Sequence, residues 1–340
     1  MQRRAMKSAV SLIAGAAVLA GLGWWFGLSG VLEALRSAQP RGLLAYAGWS
    51  ALVVLLVVAR WRLMAAAVGG HAGFGRLVGA RLAGDAAGSL LPLARVAGDP
   101  LRAMLARGDG TPLSTAGAGV AIDRLLEVTG NLLAVIAYVS IFSLATAERD
   151  AGAAPRTPAI AMAVLLVLLG ALYYRLARGQ RPMALLYGAR ARRLLPGRGH
   201  WFDGIRRVEE HLLDVFRAHR ATFLAGLALS VIAELVIILQ YHALLGAFGV
   251  RLELPVLLLV LLGGGIARAV PTPAALGALE ATQVMAVGAA TGNPGLGFVV
   301  GLIVRLHETL LVVVGVAALA ALGISPARLS GLAAQRVPVP

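Results

Sequence analysis

The sequence has no cysteine, a single lysine (Lys7), and few charged residues of any kind: 14% of 340. Without cysteine there is no disulfide, no thiolate metal site and no thiol nucleophile. Soluble domains carry roughly 25% charged residues, so the scarcity excludes an ordinary soluble fold. Acidic residues are scarcer still, with 16 Asp and Glu against 31 Lys and Arg. Enzyme signatures are also missing. No G-x-S-x-G, P-loop or G-x-G-x-x-G occurs, and HETLL at His307 lacks the second histidine of a zinc-protease helix. The chain is therefore expected to be no enzyme, with no cofactor and no metal.

What is present is apolar: 59% of the residues are hydrophobic. Several runs of about 20 residues are long enough to cross a hydrocarbon core of ~30 Å. The expected fold class is an all-α polytopic membrane protein. Six full crossings are read at 8–30, 42–67, 113–145, 156–177, 221–248 and 295–323. The first is longer than a signal-peptide core of roughly 7–15 residues, so it is taken as retained. Two further stretches, 74–107 and 254–289, are broken by Pro92 and by Pro271 and Pro273. Each reads as a re-entrant helical hairpin, because irregular backbone survives at that depth only inside protein or beside a wet cavity.

The net charge of +15 lies mostly beside the apolar runs, which argues for cytoplasmic loops and against a nucleic-acid partner. Eleven arginines crowd residues 175–220. Within that segment Trp201, Ile205, Val208, Leu212 and Val215 recur at helical spacing. Such a stripe suits a helix on the membrane surface or one packed on the protein's cytoplasmic face. The expected divisions are 1–178 (first membrane half), 179–220 (basic cytoplasmic segment), 221–325 (second membrane half) and 326–340 (tail). Both termini are expected in the cytoplasm of a bacterium, with the spans in its inner membrane.

The two halves share a pattern. Adding 181 to Pro92, Asp99, Arg124 and Glu127 gives Pro273, Glu280, Arg305 and Glu308. The same shift carries 42–67 onto 223–248. In the topology above these partners run in opposite directions, which predicts an inverted repeat with its site near the midplane.

A charge at the bilayer centre costs roughly 2.5–3.5 kcal/mol on insertion scales, so these residues should face inward. Arg124/Glu127 and Arg305/Glu308 are spaced i, i+3 and share a helix face. Two readings stay open. One is an internal salt bridge. The other is a guanidinium that holds an anionic headgroup. Asp99 and Glu280 lie seven residues past their prolines, about two turns into the second limb. They are candidates for binding the arginines or a headgroup amine. Arg95, Arg102 and Arg268 are candidates for the same cavity. Glu234 and Asp85 are candidates for proton or ion coupling. Half-helix N-termini near Leu93 and Ala274 offer backbone N–H groups to phosphate.

Four stretches carry a family resemblance: LLPLARVAGDPLRAMLA (90–106), GVAIDRLLEVTGNLL (119–133), ARAVPTPAALGALEA (267–281) and VRLHETL (304–310). With them the chain resembles the flippase-like membrane proteins related to the transmembrane domain of lysylphosphatidylglycerol synthase. Within that group it is similar to the hopanoid-biosynthesis-associated members. The resemblance implies movement of a phospholipid, aminoacylated lipid or isoprenoid lipid between leaflets, with lipid-synthesis enzymes as candidate partners. It implies motif roles for Asp99, Arg102, Arg124, Glu127, Glu280, Arg305 and Glu308. Asp99 stands where the family motif often has Glu. No aminoacyl-transferase segment is recognisable, so lipid aminoacylation is not expected. A small organic-anion transporter and a non-transporting scaffold for lipid synthesis are the alternatives.

Overall fold

In the computed structural model the described residues are 33, 35–90, 98–107, 111–149, 156–181, 199–269 and 276–321. Besides the helical residues 33 and 35–37, they form ten helices and connecting loops, with no strand among them. The helices are α1 (Pro40–Ala67), α2 (Phe74–Leu90), α3 (Asp99–Ala106), α4 (Leu113–Arg149) and α5 (Arg156–Ala177), then α6 (Gly199–Ala218), α7 (Arg220–Gly246), α8 (Leu254–Ala269), α9 (Ala278–Thr291) and α10 (Pro294–Ala321). The expected crossing at 8–30, the break prolines Pro92, Pro271 and Pro273, the candidate Arg95 and the 326–340 tail lie outside the described residues.

Helix limits follow local chemistry. Pro40 opens α1 after an extended Gln39; its fixed φ suits the first helical position. Gly69, at φ +86°, ends it: Gly70 N–H donates to Ala65 O at 2.8 Å and Gly69 N–H to Ala66 O at 3.0 Å. That double closure satisfies carbonyls the helix leaves open.

Among the described residues, five helices are long and apolar enough to cross a membrane: α1, α7, and the segments Leu113–Thr146 of α4, Pro158–Ala177 of α5 and Pro294–Ala318 of α10. The broken stretches differ. Their limbs are 17 and 8 residues in α2 and α3, and 16 and 14 residues in α8 and α9. None reaches the roughly 20 residues that a full span needs.

The packing is reciprocal. α1 lies along α7, α4 on α8, and α10 on α2, while α3 packs on α4 and α9 on α10. Close approach depends on missing side chains. A Cβ at Gly42 would stand 2.7 Å from the Ala247 backbone, and one at Gly315 would stand 2.3 Å from Leu82 O. One apolar core gathers Tyr46, Tyr241, Leu244, Leu258, Leu279 and Val304. Another gathers Val58, Trp61, Leu77, Leu101 and Leu105.

The amphipathic stretch is α6, and its apolar side is covered by protein. Leu212, Leu213 and Val215 are buried with Met64, Leu126, Leu176 and Phe223. Phe216 meets Phe223 edge-on at 5.0 Å and stacks with Tyr173 at 6.1 Å. Of the two uses open to that stripe, packing on the protein is the one found for Leu212 and Val215.

The α1–α7 contact yields a first prediction. Gly42→Leu should lower stability by about 1–3 kcal/mol through overpacking, whereas Gly48→Ala, with nothing within 4 Å of its Cβ, should not destabilise. Thermal unfolding in detergent reads both, and equal melting temperatures would refute the contact.

Candidate functional site

Among the described residues, most charged side chains inside the helix assembly fall into two sets. The first is carried by α1, α2, α3 and α4. Arg124 grips Asp99 with two hydrogen bonds, Nε to Oδ2 and Nη2 to Oδ1, both 3.0 Å. It also donates from Nη1 to Glu127 Oε1 at 2.8 Å. Arg81 reaches Glu127 Oε2 at 3.2 Å and Asp85 Oδ2 at 2.7 Å. The order is therefore Asp99, Arg124, Glu127, Arg81, running from α3 through α4 to α2.

The second set is carried by α8, α9 and α10. Arg305 Nε donates to Glu280 Oε1 at 2.7 Å and Nη2 to Oε2 at 3.3 Å. Arg305 Nη1 meets Glu308 Oε2 at 3.4 Å, and Arg268 Nε meets Glu308 Oε1 at 3.0 Å. The order is Glu280, Arg305, Glu308, Arg268, the same sequence of roles as in the first set. Arg268 does not extend away alone; it is bound to the long helix.

Behind the first set lies a deeper triad. Asp123 accepts from Arg60 Nε at 2.7 Å and from Arg102 Nη2 at 2.8 Å, and its side chain is 0% exposed. Arg60 also donates to Ser230 Oγ at 3.1 Å and Glu127 Oε2 at 3.3 Å. The Arg102 guanidinium lies 4.4 Å over the Trp61 ring, a favourable cation–π placement. Burying unpaired charge is prohibitive. Here Arg60, Arg81, Arg102 and Arg124 are met by Asp85, Asp99, Asp123 and Glu127. The second set likewise balances two arginines with two glutamates.

The sets are graded from sealed to open. Glu280 is 0% exposed, whereas Glu308 is 32%, Arg268 27% and Asp85 43% exposed in their side chains. A polar ligand could reach Arg268, Glu308 and Asp85 without displacing the buried triad.

Two expectations need correction. Asp99 and Glu280 are not two turns into their limbs: Asp99 starts α3, and Glu280 is the third residue of α9. The described helices begin at Asp99 and Ala278, and Leu93 and Ala274 lie outside the described residues. Each acid occupies the positive end of its own helix, and Glu280 Oε2 accepts the Gly277 N–H at 2.9 Å. An incoming phosphate would compete with these carboxylates for the same ends. Arg60, near the end of the apolar run 42–67, is buried in the triad rather than placed in a loop.

Glu234 lies near the first set. Tyr138 Oη donates to it at 3.4 Å, and Asn131, with its amide nitrogen turned inward, donates at 2.8 Å. His307 bonds to Ser50 and sets its ring edge-on to Tyr46 at 5.3 Å, tying α10 to α1. Among the described residues, no group of three or more His, Asp or Glu could hold a metal ion.

Arg60, Arg81 and Asp123 join these charged networks, although sequence reasoning left them off the candidate set. A signal existed for Arg60: it lies seven residues before the end of α1 at Ala67, two turns inside the helix.

Removing one partner of a buried pair is expected to cost about 3–5 kcal/mol. Asp123→Ala should therefore abolish folding or strongly lower the melting temperature. Arg268→Gln, at a half-open pair, should cost no more than about 1 kcal/mol. Melting in detergent compares the two, and equal losses would overturn the sealed-to-open gradient.

The model of one family, the lysylphosphatidylglycerol synthase TM region, matches residues 12–315. The chain belongs to that family. No curated protein matches it.

Proposed function

We propose that this member of the lysylphosphatidylglycerol synthase transmembrane family is a lipid translocase. It moves a lipid with a polar or anionic headgroup between leaflets and catalyses no covalent chemistry. The carrying observation is the recurrence of one ion-pair order in two places, each joining the limbs of a broken stretch to a long helix. Three of the four roles are related by the shift of 181, from Asp99, Arg124 and Glu127 to Glu280, Arg305 and Glu308.

Short limbs with a duplicated charge pattern fit the discontinuous helices of secondary transporters, whose sites lie near the midplane. On this reading the fold has six crossings and two re-entrant hairpins, 74–107 and 254–289, in inverted halves. It sits in a bacterial inner membrane with both termini cytoplasmic. The acid–arginine series lowers the cost of carrying a headgroup through apolar surroundings, and the half-open Arg268 and Glu308 are where that headgroup first meets charge. The finer likeness to hopanoid-associated members rests on the four sequence stretches alone.

A second reading, a non-transporting scaffold for lipid-synthesis enzymes, is favoured by one observation. The Arg60–Asp123–Arg102 triad is sealed, and its charges serve one another.

Reconstitution separates the two. Wild-type protein in vesicles should speed inward movement of fluorescent anionic, zwitterionic or isoprenoid-phosphate lipids, read by quenching of the outer leaflet. Arg124→Gln and Arg305→Gln, if folded, should slow it at least tenfold, a rise of about 1.4 kcal/mol or more in the barrier. Movement of none of these lipids, or wild-type rates in both variants, would sink the translocase reading.

A further inference from the structure

The shift of 181 exposes a contrast between the halves. Adding it to Arg60, Asp123 and Arg102 gives Tyr241, Val304 and Gln283. In the first half these positions form the sealed triad. In the second half the central carboxylate is a valine, and the two guanidiniums are a phenol and a carboxamide.

The neutral groups are not satisfied by each other. Gln283 is 0% exposed, and neither Nε2 nor Oε1 has a hydrogen-bond partner. Tyr241 is 4% exposed, and its hydroxyl faces the Arg268 guanidinium without a hydrogen bond of good geometry. Gln283 Nε2, Arg268 Nη1 and Tyr241 Oη lie 3.2, 3.3 and 3.5 Å from the point where a side chain at Gly264 would begin. Helices α7, α8 and α9 thus direct polar groups to Gly264, the middle of three consecutive glycines in α8. Buried donors and acceptors left unmade are costly, and native proteins keep few of them.

We propose that Gln283, Tyr241 and Arg268, arranged around Gly264, form a subsite for the hydroxyl groups of a polyol headgroup, such as glycerol or a sugar. The chemistry selects that class. The carboxamide offers a donor and an acceptor side by side, and the phenol offers both in one group. A hydroxyl answers each, whereas a phosphate only accepts and leaves Gln283 Oε1 unmet. Arg268 already carries Glu308 as its counter-charge, so the subsite asks for no net charge. The half-open Arg268 marks the side from which such a headgroup enters, and a small movement of α8 against α9 admits it. This rests on the translocase reading and names what its second half recognises.

The test uses full-length protein in phosphatidylcholine nanodiscs, free of sugar detergents. Dioctanoyl phosphatidylglycerol and dioctanoyl phosphatidylethanol have the same chains and charge and differ in the headgroup hydroxyls. Binding is read by thermal shift and native mass spectrometry, with free glycerol as a third probe. The wild type should bind the glycerol lipid about five- to tenfold more tightly than the ethanol lipid, the size of one or two neutral hydrogen bonds. Gln283→Leu should erase that preference to within twofold and should melt no lower than wild type without ligand, because it removes unmade polar atoms. Tyr241→Phe, which loses only a hydroxyl, should reduce the preference and carries the test if Gln283→Leu does not fold.

Equal wild-type affinity for the two lipids, or a preference retained in both variants, overturns the subsite. A shift by free glycerol equal to that by the lipid overturns its assignment to a headgroup. A headgroup preference without any lipid movement in vesicles keeps the subsite and sinks translocation alone.

Discussion

The cost of burying charge governs this molecule. A guanidinium withdrawn from water must find a carboxylate in good geometry, or the fold does not form. The described interior obeys that rule by linking its charges in series. Asp99, Arg124, Glu127 and Arg81 follow one another across three helices, as do Glu280, Arg305, Glu308 and Arg268. Each series ties both limbs of a broken stretch to the long helix beside it. Short helices gain little stability from their own hydrogen bonds. An 8-residue α3 therefore keeps its place through Asp99 and Arg102, bonded to Arg124 and Asp123.

Close backbone approach makes these links possible. A Cβ on Gly84 would stand 2.2 Å from Arg102 Cγ, and one on Gly98 would stand 2.0 Å from Gly84 O. The stem of Arg102 crosses α2 where α2 is thinnest, and its head reaches Asp123 beyond. Arg76 adds a second clasp by donating to the Leu105 and Arg107 carbonyls at 2.8 and 2.9 Å. Those are carbonyls that the end of α3 leaves open.

Much of this was legible in the residues, for a physical reason: membrane spans are long apolar runs, and charges inside them are rare enough to stand out. The limits of α5 at 156–177 and the pairings of Arg124 with Glu127 and Arg305 with Glu308 followed from spacing alone. The membership found over residues 12–315 agrees with the resemblance carried by the four quoted stretches. What spacing could not show was depth. Arg60 sits in ARWRL beside Arg62, and a pair of arginines near a helix end reads as an interfacial anchor; only the packing of α1 against α4 and α7 turns one of them inward. Asp123 is adjacent to Arg124 in sequence but about 100° away around the helix, so it serves a different set of partners. Gln283 carries no charge and drew no attention, because an uncharged polar residue in an apolar run is legible only once its neighbours are known.

The two halves are therefore alike in their outer series and unlike behind it. In the first, Asp123 draws Arg60 and Arg102 into a sealed knot that also holds Ser230 of α7, across the α1–α7 contact. In the second, Val304 sits at the corresponding position and offers no carboxylate around which Tyr241 and Gln283 could gather. A knot of three charges resists rearrangement, since opening it leaves ions unpaired in an apolar surround. Neutral groups can exchange partners at far lower cost. If the halves move against each other, the first is built to stay whole and the second to change what its polar groups touch. On the proposed translocase reading, the difference between a carboxylate and a valine at one helix position divides the labour of the fold: one half as anchor, the other as the place where a headgroup is met.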